Sequence, residues 1–543
     1  MAKKSSPKKR SKGIKPDVFA LSRAIVSALL LVLAYTVGAA PFVAVLILIL
    51  AALISGFDLI FAAIDNALRK KNYFSSQCLI VICAIASFCA GCYIESVAML
   101  AVYQLSSAFL TFAVKKTRAG LYNAVPESYG EEHTRLKSIL NSPAASFNSA
   151  KEKCMPYFDL FSKAALIVGI LFAVVVPLLT DMTYVMSIRR GCMLIVAAVP
   201  ASALAALPLY SLAGLSHSAE YGVFIKNAKT LESIGSVSAV AYDKNGVFTE
   251  GEPKLVSINS PVLENEDFLR LAAYAACNSS QTFSAPIVSA YSGDIVSDYI
   301  TSFQDIYGCG MEAVLRGGRH LLLGTAELFE ARGISIPDGE QKNGYVLYMA
   351  IEHSYAGSLT LKENVNPYAE SVISDLAIIG GVKSIMLSDD GEEVSEKLAR
   401  ALGIDELHCE CKPSEKADII QDCKTQHGDG NILMYVSAQE REAHTAADID
   451  AMVGDSFGGA DVLMSSIGLF GLPVAYTTAR KLKRLSRENI IFTAIIKLVL
   501  IVLALTGNAT LWFIILADFA ASIIGVLNTL RMSTETQNEE NAE

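Results

Sequence analysis

Long apolar runs limit what this chain can become. Residues 19–38 and 41–63 are each close to the length a helix needs to cross a hydrocarbon layer. Residues 76–113 are too long for one crossing and divide near Gly91 into two. Residues 161–180, 190–213, 487–506 and 510–530 supply four more, which makes eight spans. A backbone at membrane depth must satisfy its hydrogen bonds within its own segment, so these runs are expected as helices. Composition agrees: of 543 residues 52% are hydrophobic and 18% charged, with a mean hydropathy of +0.41. That excludes an ordinary soluble globular protein.

Charge orients the spans. Lys3, Lys4, Lys8, Lys9, Arg10, Lys12 and Lys15 precede the first run, whereas the tail from Ser533 to Glu543 is acidic. A basic segment before an apolar one anchors that side in the cytoplasm, so it is read as a topology signal and not as a nucleic-acid site. Arg69-Lys70-Lys71 and Lys115, Lys116 and Arg118 follow the same rule. Arg189 and Arg190, between the fifth and sixth spans, are the exception. The expectation is a multi-pass protein of the cell membrane with both termini cytoplasmic and no cleaved signal. Eleven cysteines are scattered along the chain. Cys78, Cys83, Cys89 and Cys92 share one apolar stretch and read as small residues packing between helices. His408, Cys409 and Cys411 carry soft donors but lack a fourth ligand nearby in sequence.

Between the sixth and seventh spans, residues 214–486 alternate strand-like and helix-like patterns, as a doubly wound sheet with an inserted domain would. Ser238 to Tyr242 is small and apolar, Asp243 follows, and Gly246 marks a turn. That reads as a buried parallel strand presenting a carboxylate at its C-terminal edge, where α/β folds place their chemistry. A carboxylate there can attack a phosphoryl group and form an aspartyl-phosphate.

Asp243 to Gly251, DKNGVFTEG, resembles the phosphorylation motif DKTGTLTEG of the P-type ATPases. Asp243, Lys244, Gly246, Thr249, Glu250 and Gly251 match, while Asn245, Val247 and Phe248 depart. The resemblance covers most of the chain and is nearest to the heavy-metal-transporting class, in its zinc/cadmium/lead branch. It implies Mg2+ and ATP as cofactors. Ser388-Asp389-Asp390 resembles the family's TGD, with Asp390 matching its Asp and Asp389 adding a negative charge where Gly stands. Lys412 to Lys416 resembles the PxxK element, so Lys416 is expected to pair with a phosphoryl oxygen. Gly308 and Gly310, followed by Gly324, resemble the Gly-rich nucleotide-facing strands. The adenine-stacking His-Pro falls on Ala285-Pro286, without the histidine.

Three losses shape the functional reading. The strand Ile432 to Glu440 stands in place of VAMVGDGIND; its first Asp, a magnesium ligand, falls on Val436 and its second on Glu440. Met452-Val453-Gly454-Asp455 spells MVGD, but the spacing of the following residues aligns it with a later element. No TGE occurs, and residues 114–160 are too short for the actuator domain that carries it. The Cys-Pro-Cys of the sixth span reads Val199-Pro200-Ala201, which keeps the kink and loses both thiolates. Glu95, Lys497 and Asp518 resemble charged positions of the intramembrane transport site. Such residues are costly at membrane depth and imply function, although Lys497 with Asp518 could equally be a structural pair.

The expected fold class is a membrane α-helical bundle of eight spans bearing a cytoplasmic α/β haloacid-dehalogenase-like domain with an inserted α+β nucleotide-binding domain. The divisions are a basic tail (1–18), spans one to four (19–113), a short loop (114–160), spans five and six (161–213), and the first part of the phosphorylation domain (214–251). The nucleotide-binding domain (252–361), the rest of the phosphorylation domain (362–486), spans seven and eight (487–531) and an acidic tail (532–543) complete it. The site set is Asp243, Lys244, Thr249, Ser388, Asp390 and Lys416 for phosphoryl chemistry. Asp243 and Glu440 would hold magnesium, Gly308, Gly310 and Gly324 the nucleotide, and Glu95, Pro200, Lys497 and Asp518 the transported ion. By resemblance the function is ATP-driven export of a Zn2+/Cd2+-type cation. The losses imply an impaired enzyme retained as a membrane binding or regulatory protein, with an intact pump as its partner; a separate actuator-like protein as partner would instead favour a working exporter. A working exporter with atypical ligands and a membrane-anchored residual phosphatase or phosphate-binding domain stay open. No nucleic-acid partner is expected.

Overall fold

The computed structural model describes residues 18–540 except 37–40, 70, 125–137, 139–147, 200–202, 250–252, 280, 282, 296–298, 307–308, 338–344, 413, 427–430, 439–445, 455–458 and 466–467. Gly308, Pro200, Glu440 and Asp455 lie outside the described residues.

The apolar runs form helices α1 (Val18–Thr36), α2 (Pro41–Leu68), α3 (Ser76–Cys89), α4 (Tyr93–Ala124) and α5 (Ser149–Leu179). They continue as α6 (Tyr184–Ala198), α7 (Ala203–Glu220), and, after the α/β part, α15 (Gly471–Thr506) and α16 (Leu511–Glu540). Gly91, at φ 84°, makes the turn that divides the long third run. Side chains of Ser75, Asn148 and Thr183 accept the first free N–H groups of α3, α5 and α6. Five of these helices are long and apolar enough to cross a membrane: α2, α4, α5, α15 and α16; α1 and α3 hold shorter apolar stretches. The sixth run is not one helix but two, since α6 ends at Ala198 and α7 begins at Ala203. The seventh begins well before its apolar part, so residue 486 falls inside a continuous α15. Gly169 and Gly191 let α5 and α6 meet at the backbone, for a Cβ on Gly191 would lie 2.5 Å from Gly169 O.

The α/β part holds two sheets. The first has strands β1 (Val223–Ile225), β2 (Val237–Asp243), β9 (Lys383–Leu387), β10 (Glu406–His408), β11 (Ile432–Ser437), β12 (Ile449–Val453) and β13 (Val462–Met464). Their order is β1-β13-β12-β11-β2-β9-β10, parallel except for β1. Helices α8 (Ala228–Ile234), α12 (Ala369–Gly380), α13 (Glu392–Leu402) and α14 (Lys416–Gln426) belong to this part. β2 lies between β11 and β9 and is buried along nearly its whole length, which its run of small and apolar residues predicts.

The second sheet is antiparallel, in the order β3-β8-β7-β6-β5-β4. Its strands are β3 (Lys254–Asn259), β4 (Ile300–Ile306), β5 (Gly310–Leu315), β6 (His320–Gly324), β7 (Tyr345–Ile351) and β8 (Ser354–Lys362), with helices α9 (Asn265–Ala276), α10 (Ser284–Ala290) and α11 (Ala326–Ala331). Its own core gathers Phe268, Ala272, Phe283, Ile287, Leu323, Leu347 and Leu359. The insertion therefore leaves the first sheet after β2 and returns before β9.

Candidate functional site

Adjacent strand ends bring the expected residues together. Asp243 closes β2 opposite Leu387 of β9, so the loop Ser388-Asp389-Asp390 emerges beside it. Lys416 opens α14, and its Nζ lies 2.8 Å from Asp243 Oδ1 and 2.5 Å from Asp389 Oδ1. Lys244 turns the other way, donating to Asp390 Oδ2 at 2.6 Å and Glu363 Oε1 at 2.8 Å. Both lysines are wholly buried and Asp243 is 2% exposed. Each lysine thus holds two carboxylates, the arrangement that makes buried charge tolerable. Burial works against the Lys244 ammonium, but Asp390 and Glu363 outweigh it and hold its pKa above the ordinary lysine value.

Two tyrosines close the cluster. Tyr345, the first residue of β7, donates its hydroxyl to Asp390 Oδ1 at 3.2 Å. Burial, with Asp390 and Glu363 nearby, holds that phenol well above its usual pKa. Tyr435 of β11 points its hydroxyl at Asp243 Oδ2, 3.5 Å away. Neither tyrosine nor Glu363 belongs to a motif, and no sequence signal marks them. Ser388 Oγ accepts from Asp390 N at 3.2 Å and from Ser395 Oγ at 2.8 Å, so its hydroxyl orders the loop. Thr249 Oγ1 faces Lys244 O at 3.5 Å. Gly246 has φ 81°, and a Cβ there would meet Ala438 Cβ at 2.4 Å. Val247 and Phe248 are buried in the core, Phe248 against the Tyr242 ring.

A magnesium ion takes one or two carboxylates in a near-octahedral oxygen shell. Val436 pairs in register with Tyr242 and is fully buried, so the strand beside Asp243 ends in Val436-Ser437 without a carboxylate. The nearby carboxylates of Asp243, Asp389, Asp390 and Glu363 each contact an ammonium group. Among the described residues this donor set does not fit the ion. On the inserted domain, Gly310 and Gly324 face each other across β5 and β6. A Cβ on either would collide with Leu328 or main chain, so close packing requires glycine at both positions. Ala285 is exposed on α10 and offers no ring to stack a base.

In the helical part, Lys497 Nζ lies 2.7 Å from Asp518 Oδ1 and donates to Val199 O at 2.7 Å, just where α6 ends. Glu95 does not join them. It is held by the Arg189 guanidinium, with Nε 3.0 Å from Oε2 and Nη2 on Oε1. Arg189, the exception to the charge pattern, thus has its counterion on α4. Cys83 of α3 and Cys192 of α6 line one cavity between α3, α5 and α6, a soft-donor pair that no spacing in the sequence reveals.

No family model matches the chain. It is 25% identical over 430 residues to a cadmium, zinc and cobalt-transporting ATPase of Bacillus subtilis (strain 168), an alignment covering 76% of this chain and 60% of that protein. It is 28% identical over 356 residues to a zinc-transporting ATPase of Synechocystis sp. (strain ATCC 27184 / PCC 6803 / Kazusa), covering 64% and 49%. The crystal structure of a zinc-transporting PIB-type ATPase in its E2.Pi state matches at a TM-score of 0.61 and 19% identity, covering 94% of this chain and 99% of that one. The chain is a relative of the heavy-metal P-type ATPases.

It spans 60% and 49% of the length of those two curated relatives. Like heavy-metal P-type ATPases it is a multi-pass membrane protein, and the structural match shows the common fold. Between α4 and α5 only residues 125–148 remain, far too few for a domain with its own core.

Proposed function

We propose that this chain is a heavy-metal P-type ATPase whose phosphorylation chemistry is impaired and which acts as a membrane binding or regulatory protein. Its ancestral activity is ATP-driven export of a Zn2+/Cd2+-type cation through an aspartyl-phosphate at Asp243. The observation that carries the reading is the charge arrangement around Asp243: Lys416 is shared with Asp389, and the neighbouring strand carries apolar Val436 opposite Tyr242. Phosphoryl transfer depends on cations neutralising developing charge. Here one lysine is engaged by a built-in carboxylate and a metal-ligand position is a hydrocarbon. The finer architecture belongs to the same proposal: eight spans, a haloacid-dehalogenase-like sheet with an inserted nucleotide-binding domain, and both termini with residues 214–486 on the cytoplasmic side.

Labelled ATP with Mg2+ tests it on purified protein. The expected result is no acid-stable, hydroxylamine-sensitive label on Asp243. Label on wild type that Asp243→Asn abolishes overturns the reading. The shared cavity of Cys83 and Cys192 favours a second reading, a working exporter with atypical soft ligands. Zn2+- or Cd2+-stimulated ATP hydrolysis, lost in Cys83→Ser, would establish that one instead.

A further inference from the structure

We propose that Glu406, His408 and Cys423 form a binding site for a soft divalent cation of the zinc or cadmium type, at the edge of the parallel sheet. The site lies apart from the Asp243 carboxylate and from the charged groups of the spans. It does not depend on whether phosphorylation is impaired.

Strand and helix periodicity build it. Glu406 and His408 are two apart on β10, so their side chains share one face of the edge strand. α14 lies beside that strand and brings Cys423 to the same place. His408 Nε2 is 2.9 Å from Glu406 Oε1 and 3.6 Å from Cys423 Sγ, and Sγ is 4.0 Å from Oε1. In a tetrahedral zinc shell, bonds of about 2.3 Å to sulfur and about 2.0–2.2 Å to nitrogen and oxygen place neighbouring donors roughly 3.3–3.7 Å apart. The three donor atoms already form a triangle of nearly that size.

Donor chemistry then selects the ion. A thiol and an imidazole favour zinc-class ions, whereas magnesium and calcium take oxygen shells. Glu406 and His408 side chains are about one third exposed, at 34% and 32%, so an ion can enter and a water can complete the shell. The ordinary alternative is a His–Glu hydrogen bond with a cysteine that happens to pack beside it. That alternative predicts no metal affinity.

The placement suggests what the site does. Lys416, which holds Asp243, is seven residues before Cys423 on α14, about 10 Å along the helix axis. On the strand side, Ser388 N donates to His408 O at 2.9 Å, at the start of the loop that carries Asp389 and Asp390. An ion bound here clamps α14 to β10 and so fixes both sides of the Asp243 cluster.

Co2+ titration of the purified full-length protein in detergent tests this, read by thiolate-to-cobalt charge-transfer absorption and by competition with Zn2+. The spans contribute their own thiols as a background common to all variants. Cys423→Ser should lose one equivalent of Co2+ with its share of the charge-transfer band. His408→Gln, at a position about one third exposed, should bind that equivalent at least about tenfold more weakly. Cys409→Ser, at the residue that follows His408, should change neither. Unaltered stoichiometry and affinity in both Cys423→Ser and His408→Gln, or loss of the band in Cys409→Ser, overturns the proposal.

Discussion

Lys416 is the residue on which most of the charge arrangement depends. Removing its ammonium takes from Asp243 and Asp389 the cation that they share. Breaking a buried ion pair from one side costs about 3–5 kcal/mol. Lys416→Met is therefore expected to lower the unfolding midpoint sharply in thermal or denaturant melts, with Lys416→Arg losing much less. Lys244 gives a pH dependence whose sign follows from its raised pKa. Its contribution is complete below the ordinary lysine value of 10.5 and is lost as pH rises through the higher folded value. The stability difference between wild type and Lys244→Met should stay level from about pH 7 to about pH 9 and shrink only in strong alkali. A difference that changes through neutrality would mean that another group governs the cluster. Asp243, Lys244, Asp390 and Lys416 were all legible, because each sits in a motif with fixed spacing. Tyr345, Tyr435 and Glu363 were not: they reach the cluster from strands and a linker distant in sequence, and an aromatic or an acid in isolation carries no signal. Glu406, His408 and Cys423 show the same limit, since the helix that unites them lies outside any local window.

Elements were easier to read where one periodicity ran uninterrupted. The apolar runs marked α1 to α5 and α16 because the bilayer imposes one length and one polarity on a helix. α15 extends much further than its apolar part, since its first turns pack against the α/β core through Leu472, Tyr476 and Leu482 and mix polar with apolar positions. The break between α6 and α7 was legible only as a proline. Its consequence, a carbonyl of Val199 turned to Lys497, needed the three-dimensional structure. Close approach of α5 to α6 supplies a test at this scale. Gly191→Leu would place side-chain atoms where Gly169 O lies, and overpacking of this kind costs about 1–3 kcal/mol. The expected outcome is a lower melting temperature in detergent, with the α/β part still folded by near-ultraviolet circular dichroism. A variant as stable as wild type would mean that the two helices can separate freely.

For the whole molecule, the impairment of chemistry proposed above and a loss of coupling would be separate defects, and repair can tell them apart. Val436→Asp with Asp389→Gly restores a carboxylate at the end of β11 and releases Lys416 from its second partner. Each repaired interaction is worth on the order of one to a few kcal/mol of transition-state stabilisation, and about 1.4 kcal/mol is tenfold in rate. The double variant should therefore take label from ATP at Asp243 at least about tenfold faster than wild type. It should not turn over. The twenty-four residues between α4 and α5 leave no room for a domain that positions a hydrolytic water or transmits a phosphorylation event to the spans. The aspartyl-phosphate is thus expected to accumulate, with little inorganic phosphate released and no Zn2+ or Cd2+ accumulation in inside-out vesicles. Steady phosphate release and metal uptake by the double variant alone would show that the spans couple to Asp243 by a route other than that segment. Absence of label, in a variant that melts like wild type, would place the block on the inserted domain, where Ala285 leaves the base without a ring to stack on.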